Sequence, residues 1–325
     1  MSHPPAILQV LPALVSGGVE RGTVEIAEAI AGAGWRPIVA SAGGPLVTEL
    51  ELVCARHVTL PLATKNPAGI WRNAGSLAAL IRAEGVTVVH ARSRAPAWSA
   101  LAAARRAGAR FMTTYHGAYN EGLPGKRLYN SVMARGERVI AVSRFIAELI
   151  AARHGTDPAR IRIIPRGVDP RRFDPEAADP GGVTALRAAW RVPPGHAVVL
   201  LPGRLTRWKG QGVLVEALSR LGHPTVAVLA GGGGDRFRAE LEALAARLGV
   251  ADRLRIAGHV EDMATALLAA DVVVHASTDP EAFGRTVIEA QAMGRVVVAS
   301  DLGGPRETTP PTDSVCRCRP LGPAL

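Results

Sequence analysis

Two glutamates eight residues apart bound the segment Glu281-Ala-Phe-Gly-Arg-Thr-Val-Ile-Glu289, in which a glycine falls where a loop turns into a helix. At such a helix start the amides of Phe283, Gly284, Arg285 and Thr286 have no carbonyl of their own helix to bond. Together with the helix dipole they suit a diphosphate. Glu289, two turns in, is placed to accept from ribose hydroxyls, and Glu281, just ahead of the helix, from hydroxyls of a sugar. Taken alone, the segment reads equally as an ordinary helix with two surface glutamates. A second segment shifts the balance: Gly203-Arg204-Leu-Thr-Arg-Trp-Lys209-Gly210 follows an apolar run ending at Leu201. Arg204 and Lys209 then emerge at the carboxyl end of a strand, where two cations neutralise a leaving diphosphate. Lys209 is one of only three lysines in this arginine-dominated chain.

The elements that must position these groups alternate strand and helix almost without exception. Strands are expected over 7–11, 37–40, 58–60, 86–90, 110–114 and 139–142, with helices over 19–31, 74–83, 96–106 and 144–153 between them. A second series has strands over 197–201, 225–230, 254–257, 272–275 and 296–300, joined by helices over 213–221, 236–248, 263–269 and 286–293. Such alternation makes α/β parallel sheets covered on both faces. The proline- and glycine-rich stretch 164–182 reads as a linker, so the chain divides into domains 1–170 and 171–325. Open parallel sheets bind ligands at the carboxyl ends of their strands, which places substrate in a cleft between two facing sheets.

The 325 residues are ample for two cores, and 48% hydrophobic against 20% charged is a globular balance. No apolar run reaches the roughly 18 residues a spanning helix needs. The apolar start, 6–15, is broken by Gln9 and Pro12 and lacks a preceding positive charge, so it reads as a first strand and not a signal peptide. Three cysteines, Cys54, Cys316 and Cys318, suit a reduced, cytoplasmic compartment. The net charge of +10 is lopsided: residues 1–170 hold 20 Lys+Arg against 11 Asp+Glu, and residues 171–325 hold 18 against 17. Arginines 94, 105, 106 and 110 gather around one helix, and Lys126, Arg127, Arg135 and Arg138 around another beside an apolar stripe of Leu128, Val132 and Met133. That pattern suits either a solvated basic face or peripheral docking of the first domain on an anionic membrane. From Thr308 to Leu325 neither helical nor strand periodicity is found, as expected of a second domain truncated or frameshifted after about Glu307, the alternative being a natural disordered tail.

The donor segments together resemble the retaining glycosyltransferases of family four, which have the GT-B fold of two Rossmann-like domains facing across a cleft. That family builds its donor site from a Gly-Arg-Leu...Lys-Gly loop and a Glu-x7-Glu element of Glu-x-Phe-Gly type, and the resemblance extends from Ile7 to about Glu307. It implies further site residues. Ser16-Gly17-Gly18-Val19-Glu20 resembles the glycine-rich loop facing the cleft, and Tyr115-His116-Gly117 a strand end whose histidine nears the donor sugar. Ala141-Val142-Ser143-Arg144 and Ile164-Pro165-Arg166-Gly167-Val168-Asp169 resemble family segments, the second departing from the commoner asparagine at Arg166. The run Gly231 to Gly234 lets a base or phosphate pass closely because glycine has no side chain to clash. Gly258-His259-Val260-Glu261-Asp262 falls where the family holds the base, and Gly303-Gly304-Pro305-Arg306-Glu307 near the donor site.

The expected catalytic set is therefore Arg204, Lys209, Glu281 and His116. Gly17, Gly18, Gly203, Phe283, Gly284, Arg285, Thr286 and Glu289 are expected to hold a UDP- or GDP-linked sugar, which is substrate and not cofactor. No metal is expected, because no Asp-x-Asp ends an apolar strand; Asp279-Pro280-Glu281 is only a loose imitation. The resemblance implies same-face transfer in which a diphosphate oxygen takes the acceptor proton, while domain closure brings His116 and the Gly17-Gly18 loop onto the sugar. The acceptor expected is an envelope glycolipid or oligosaccharide, such as a lipopolysaccharide or polysaccharide precursor; no nucleic-acid partner is expected. Rival readings are a nucleotide-sugar epimerase of the same fold and a degenerate, non-catalytic sugar-nucleotide binding protein. A nicotinamide-dependent dehydrogenase lacks its Gly-x-Gly-x-x-Gly fingerprint here.

Overall fold

The computed structural model describes residues 4–309 and 315–318 apart from Ser16 and His223, with only the backbone for the last four. Two compact units divide at Pro165/Arg166.

In the first unit, strands and helices alternate as β1 (Ala6–Val10), α1 (Gly18–Gly32), β2 (Arg36–Ser41), α2 (Val47–Leu52), β3 (Arg56–Thr59), α3 (Pro67–Glu84) and β4 (Val86–Ala91). There follow α4 (Arg94–Ala107), β5 (Arg110–Tyr115), α5 (Lys126–Ser131), β6 (Arg138–Ala141), α6 (Arg144–His154) and β7 (Ile161–Ile163). The seven strands pair in the order β3-β2-β1-β4-β5-β6-β7, all parallel. This is the doubly wound order, whose chain reversal beside β1 puts the loop after β1, with Gly17 and Gly18, at the carboxyl edge. Local signals fix the helix ends: the Asn66 side chain accepts from Ala68 N at 3.0 Å ahead of Pro67, and Gly85, in the left-handed region at φ 59°, ends α3.

The second unit comprises α7 (Pro180–Ala189), β8 (Ala197–Pro202), α8 (Gln211–Leu218), β9 (Thr225–Ala230), α9 (Asp235–Arg247), β10 (Leu254–Gly258) and α10 (Met263–Leu268). It continues with β11 (Val272–His275), α11 (Arg285–Ala292), β12 (Val296–Ser300), α12 (Pro305–Thr308) and β13 (Val315–Cys318). Its parallel sheet has the order β10-β9-β8-β11-β12-β13. Successive strand residues serve opposite faces: Val198, Leu200, Val226 and Val228 enter one core cluster, and Val199, Leu201, Ala227 and Leu229 the other. A sheet buried on both sides needs these unbroken apolar runs.

Several short elements depart from the expectation, α12 among them. Helix α2 and strand β7 fall in stretches read as loop; both are too short to show a period. Helix α7 starts inside the expected linker, because Asp179 accepts from Gly181 N and Gly182 N, each at 2.9 Å, and Pro180 takes the first helical position. Phe173, also in that stretch, is buried in the second unit's core. The tail is not without strand: β13 pairs with β12 from Val297↔Val315 to Ser300↔Cys318. Four residues at a sheet edge are held by backbone bonds and require no apolar alternation of their own. The rest of the tail, 310–314 and 319–325, lies outside the described residues.

Candidate active site

At the carboxyl edge of the second sheet the two donor segments meet. Residues 203–210 leave β8, extend its pairing through Gly203 N to Ala230 O (2.8 Å) and Leu205 N to Gly232 O (2.9 Å), and then close a short 3₁₀ turn at 207–209. Gly210 lies at φ 75°, and a Cβ there would stand 1.9 Å from Ala276 O. Only glycine permits that approach, and it fastens the Lys209 turn to the loop after β11; Thr278 N to Trp208 O (2.8 Å) is a second tie. Gly210→Ala is therefore expected to cost about 3 kcal/mol, from strain and overlap together. Chemical denaturation with activity in parallel checks this: both are expected to fall, and unchanged stability would contradict the close approach.

Lys209 Nζ donates to Glu281 Oε1 at 2.6 Å, with both side chains less than a fifth exposed, and lies 4.6 Å from the centre of the Trp208 ring. Ser277 Oγ donates to the same carboxylate oxygen. His275 Nε2 stands 2.9 Å from that oxygen, near enough for an ion pair when protonated although off the line of a good hydrogen bond. Burial pushes the Glu281 carboxyl up, but the contact and charge of His275, followed by those of Lys209, outweigh it and hold the group well below the usual carboxylate range. The carboxylate is thus ionised and fixed in place.

The loop ahead of α11 is clamped from behind. Gly303, at φ 65°, pairs with Glu281, and Gly304 N donates to Glu281 O at 2.8 Å; a Cβ on Gly304 would meet Ala282 O at 2.1 Å. Gly284, at φ 84°, precedes the first turn of α11 and faces Pro305. Phe283 is buried, which leaves its backbone and those of Gly284, Arg285 and Thr286 at the helix start. Arg285 Nε and Glu289 Oε1 are 3.3 Å apart across one turn, both largely buried. The arrangement offers a cation, a row of helix-start amides and two ordered carboxylates, the elements that a diphosphate and the hydroxyls beside it require.

Other candidates fall differently. Arg204 is exposed and has no ion-pair partner among the described residues, whereas Arg207 is drawn away to Glu240 (2.5 Å) and the Phe237 ring. The Gly231–Gly234 run is corrected in part: a Cβ on Gly231 would meet Gly203 O at 2.0 Å, and one on Gly233 would meet Leu205 Cβ at 2.3 Å. The close neighbour at those two positions is the 203–205 strand and not a ligand. In the first unit Gly17, at φ 136°, and Gly18 open α1, and a Cβ on Gly17 would press on Glu20. His116 is half-buried just past β5, where Tyr119 packs on Tyr115 (ring centres 4.6 Å) beneath the Arg94 guanidinium (4.1 Å).

His275 and Ser277 were missed in the sequence. Their signal was present: a histidine ends the four-residue run Val272–His275, at the ligand-binding edge of a parallel sheet. Among the described residues no group of three or more His, Cys, Asp or Glu side chains is placed to hold a metal ion, and no helix is long and apolar enough to cross a membrane.

Two family models match the chain, Glycosyltransferase Family 4 over residues 16–172 and Glycosyl transferases group 1 over residues 183–314. A crystal structure of a glycosyltransferase from Rickettsia africae superposes with a TM-score of 0.87 at 38% identity, over 98% of this chain and 85% of that one. The Anabaena protein HepE in complex with UDP-glucose superposes with a TM-score of 0.84 at 24% identity, over 97% of this chain and 85% of that one, a likeness of fold. A D-inositol 3-phosphate glycosyltransferase of Xylanimonas cellulosilytica is 39% identical over 180 residues, which are 54% of this chain and 43% of the relative. One of Geodermatophilus obscurus is 37% identical over 187 residues, 54% of this chain and 40% of the relative. The chain thus matches less than half the length of these curated relatives.

Proposed function

Because the chain belongs to glycosyltransferase family four, we propose that it moves a hexosyl group from a UDP- or GDP-linked sugar to an envelope glycolipid or polysaccharide precursor, retaining the anomeric configuration. The observation that carries this reading is the buried Lys209–Glu281 pair beside the start of α11. Lys209 and Arg204 supply positive charge, and the helix-start amides supply donors, where charge develops on the departing diphosphate. Glu281 holds the Lys209 ammonium in position and presents its second oxygen, Oε2, to a sugar hydroxyl. Glu289, oriented by Arg285, is available to ribose hydroxyls. In the step itself the anomeric carbon–diphosphate oxygen bond breaks while the acceptor oxygen bonds the same face. The acceptor proton passes to a diphosphate oxygen, so no protein base is consumed.

The UDP-glucose complex of the HepE fold supports a uridine donor. The curated relatives support a second acceptor reading, a phosphorylated cyclitol such as D-inositol 3-phosphate. Mass-spectrometric screening of nucleotide sugars for binding, followed by product analysis with a lipid extract and separately with inositol 3-phosphate, tests the proposal. Transfer in either mixture supports it and identifies the acceptor class; no turnover of any donor overturns it. Activity is expected to survive EDTA, since Lys209, Arg204 and the helix amides take the part a divalent ion would play. Loss on chelation with rescue by Mn²⁺ or Mg²⁺ would contradict that assignment.

A further inference from the structure

The first unit bears a groove of about 1020 Å³ lined by Arg105, Arg127, Arg135, Arg153, Arg160 and His154, with Leu128 beside them. Arg105 lies in the last turn of α4, Arg153 and His154 in the last turn of α6, and Arg135 and Arg160 shortly before β6 and β7. The groove is therefore at the edge where the strands begin. Gly17, Gly18 and His116 follow the opposite, carboxyl ends of β1 and β5, so this is not the ligand edge of that sheet.

What holds its guanidinium groups is neutral. Arg127 donates from Nε and Nη2 to Arg153 O at 3.1 and 2.6 Å, and Arg153 Nη1 donates to Tyr119 O at 2.6 Å. Arg160 donates to Gly136 O, and Arg135 Nη2 donates to Ser131 Oγ at 3.2 Å while its guanidinium lies 5.0 Å from the centre of the Trp98 ring. Among the described residues none of the five arginines is in an ion pair, and no carboxylate lines the groove. The result is a set of positive charges, four of them held by neutral groups and none in an ion pair among the described residues, the arrangement that recognises phosphate oxygens through several donors at once. Burial holds the His154 imidazole below the ordinary range; Glu121 pulls it back up, and the smaller effects of Arg127 and Arg153 lower it.

We propose that this groove seats the phosphate headgroups of anionic phospholipids and docks the first unit on a bilayer. Two observations favour a bilayer over a soluble phosphate: Leu128 and Leu123 stand 63% and 61% exposed on the same connection, where they can enter the headgroup layer, and residues 1–170 hold +9 of the chain's +10. The expected apolar stripe is corrected, since Val132 and Met133 are fully buried and only Leu128 faces outward. Arg94 also drops out of the basic surface, being half-buried with its guanidinium against the Tyr119 ring and Asn130 Oδ1 (2.8 Å).

Vesicle sedimentation of the full chain tests the proposal without reference to transferase activity. Phosphatidylcholine vesicles are compared with vesicles carrying 30–40% (roughly the range of strongly anionic leaflets) phosphatidylglycerol, at low and at raised salt. The chain is expected to pellet with the anionic vesicles only, and less at raised salt. The double substitution Arg105→Gln/Arg135→Gln is expected to weaken partitioning about twenty-five-fold, roughly fivefold for each basic residue near the surface. Lys65→Gln/Arg72→Gln, which removes the same charge from exposed positions outside the groove, is expected to leave it near the unmodified value. Equal losses in the two variants would reduce the effect to net charge and overturn the groove. Equal pelleting with neutral vesicles would overturn it as well. Binding of inorganic pyrophosphate that is lost in the groove variant, without binding to vesicles, would assign the site to a soluble phosphate and overturn the lipid source.

Discussion

Lys209→Ala is expected to lower kcat/KM for sugar transfer by about a hundredfold or more, the scale for removing a preorganised charge from the place where leaving-group charge develops. Lys209 is the most committed cation of the candidate site: it is largely buried, 2.6 Å from Glu281 Oε1, and lies beside the Trp208 ring on a turn that Gly210 fixes in place. Its loss has a second consequence, because Glu281 stays buried without its ammonium partner. Removing one member of a buried pair costs about 3–5 kcal/mol, so the variant is expected to melt earlier as well. Arg204→Ala separates the two effects. Arg204 is exposed and outside any ion pair among the described residues, so its removal is expected to lower turnover on a similar scale with stability unchanged. Steady-state kinetics beside thermal melts of both variants decide the matter; near-normal turnover in the pair would remove the donor-site assignment.

The legibility of this site in the sequence followed the range of the interactions involved. Glu289 and Arg285 lie four residues apart on one helix, and their pairing is a local consequence of helical spacing. Lys209 and Glu281 are 72 residues apart; residue type and position after a strand marked each, while resemblance to the family put them in one site. Gly231 and Gly233 show the opposite case. Their lack of side chains was plain, but what approaches them depends on how 203–205 crosses the end of β9, which no local pattern encodes. His275 was hidden by its own strand, since the last residue of a short apolar run reads as part of that run. Pro180 reads locally as a breaker, although aspartate followed by proline is also a helix start. Strand β13 depends on pairing with β12 alone, which leaves no periodic trace in four residues.

His275→Gln is expected to bring an acid limb into the pH dependence of kcat/KM that the unmodified protein lacks at the same pH. Glu281 has a depressed folded-state pKa, so the stability and order it contributes are fully present above its unfolded value of about 4.3 and are lost only as pH falls through the folded value. Burial works against that depression, and His275 and Lys209 together overcome it. Glutamine keeps a polar group near Oε1 but cannot carry a positive charge. Burial is then opposed by Lys209 with less help, so the Glu281 pKa rises and the carboxylate protonates at a higher pH than before. A protonated Glu281 no longer attracts the Lys209 ammonium, and the donor site loses its alignment. Three measurements check this together: kcat/KM from about pH 4.5 to 8, denaturant stability over the same range, and carbon-detected NMR titration of the Glu281 carboxyl, which needs no substrate. The Glu281 titration midpoint is expected to move upward in His275→Gln and the acid limb to follow it. Coincident titration curves in the two proteins would mean that His275 contributes packing alone, and that Lys209 by itself keeps Glu281 ionised.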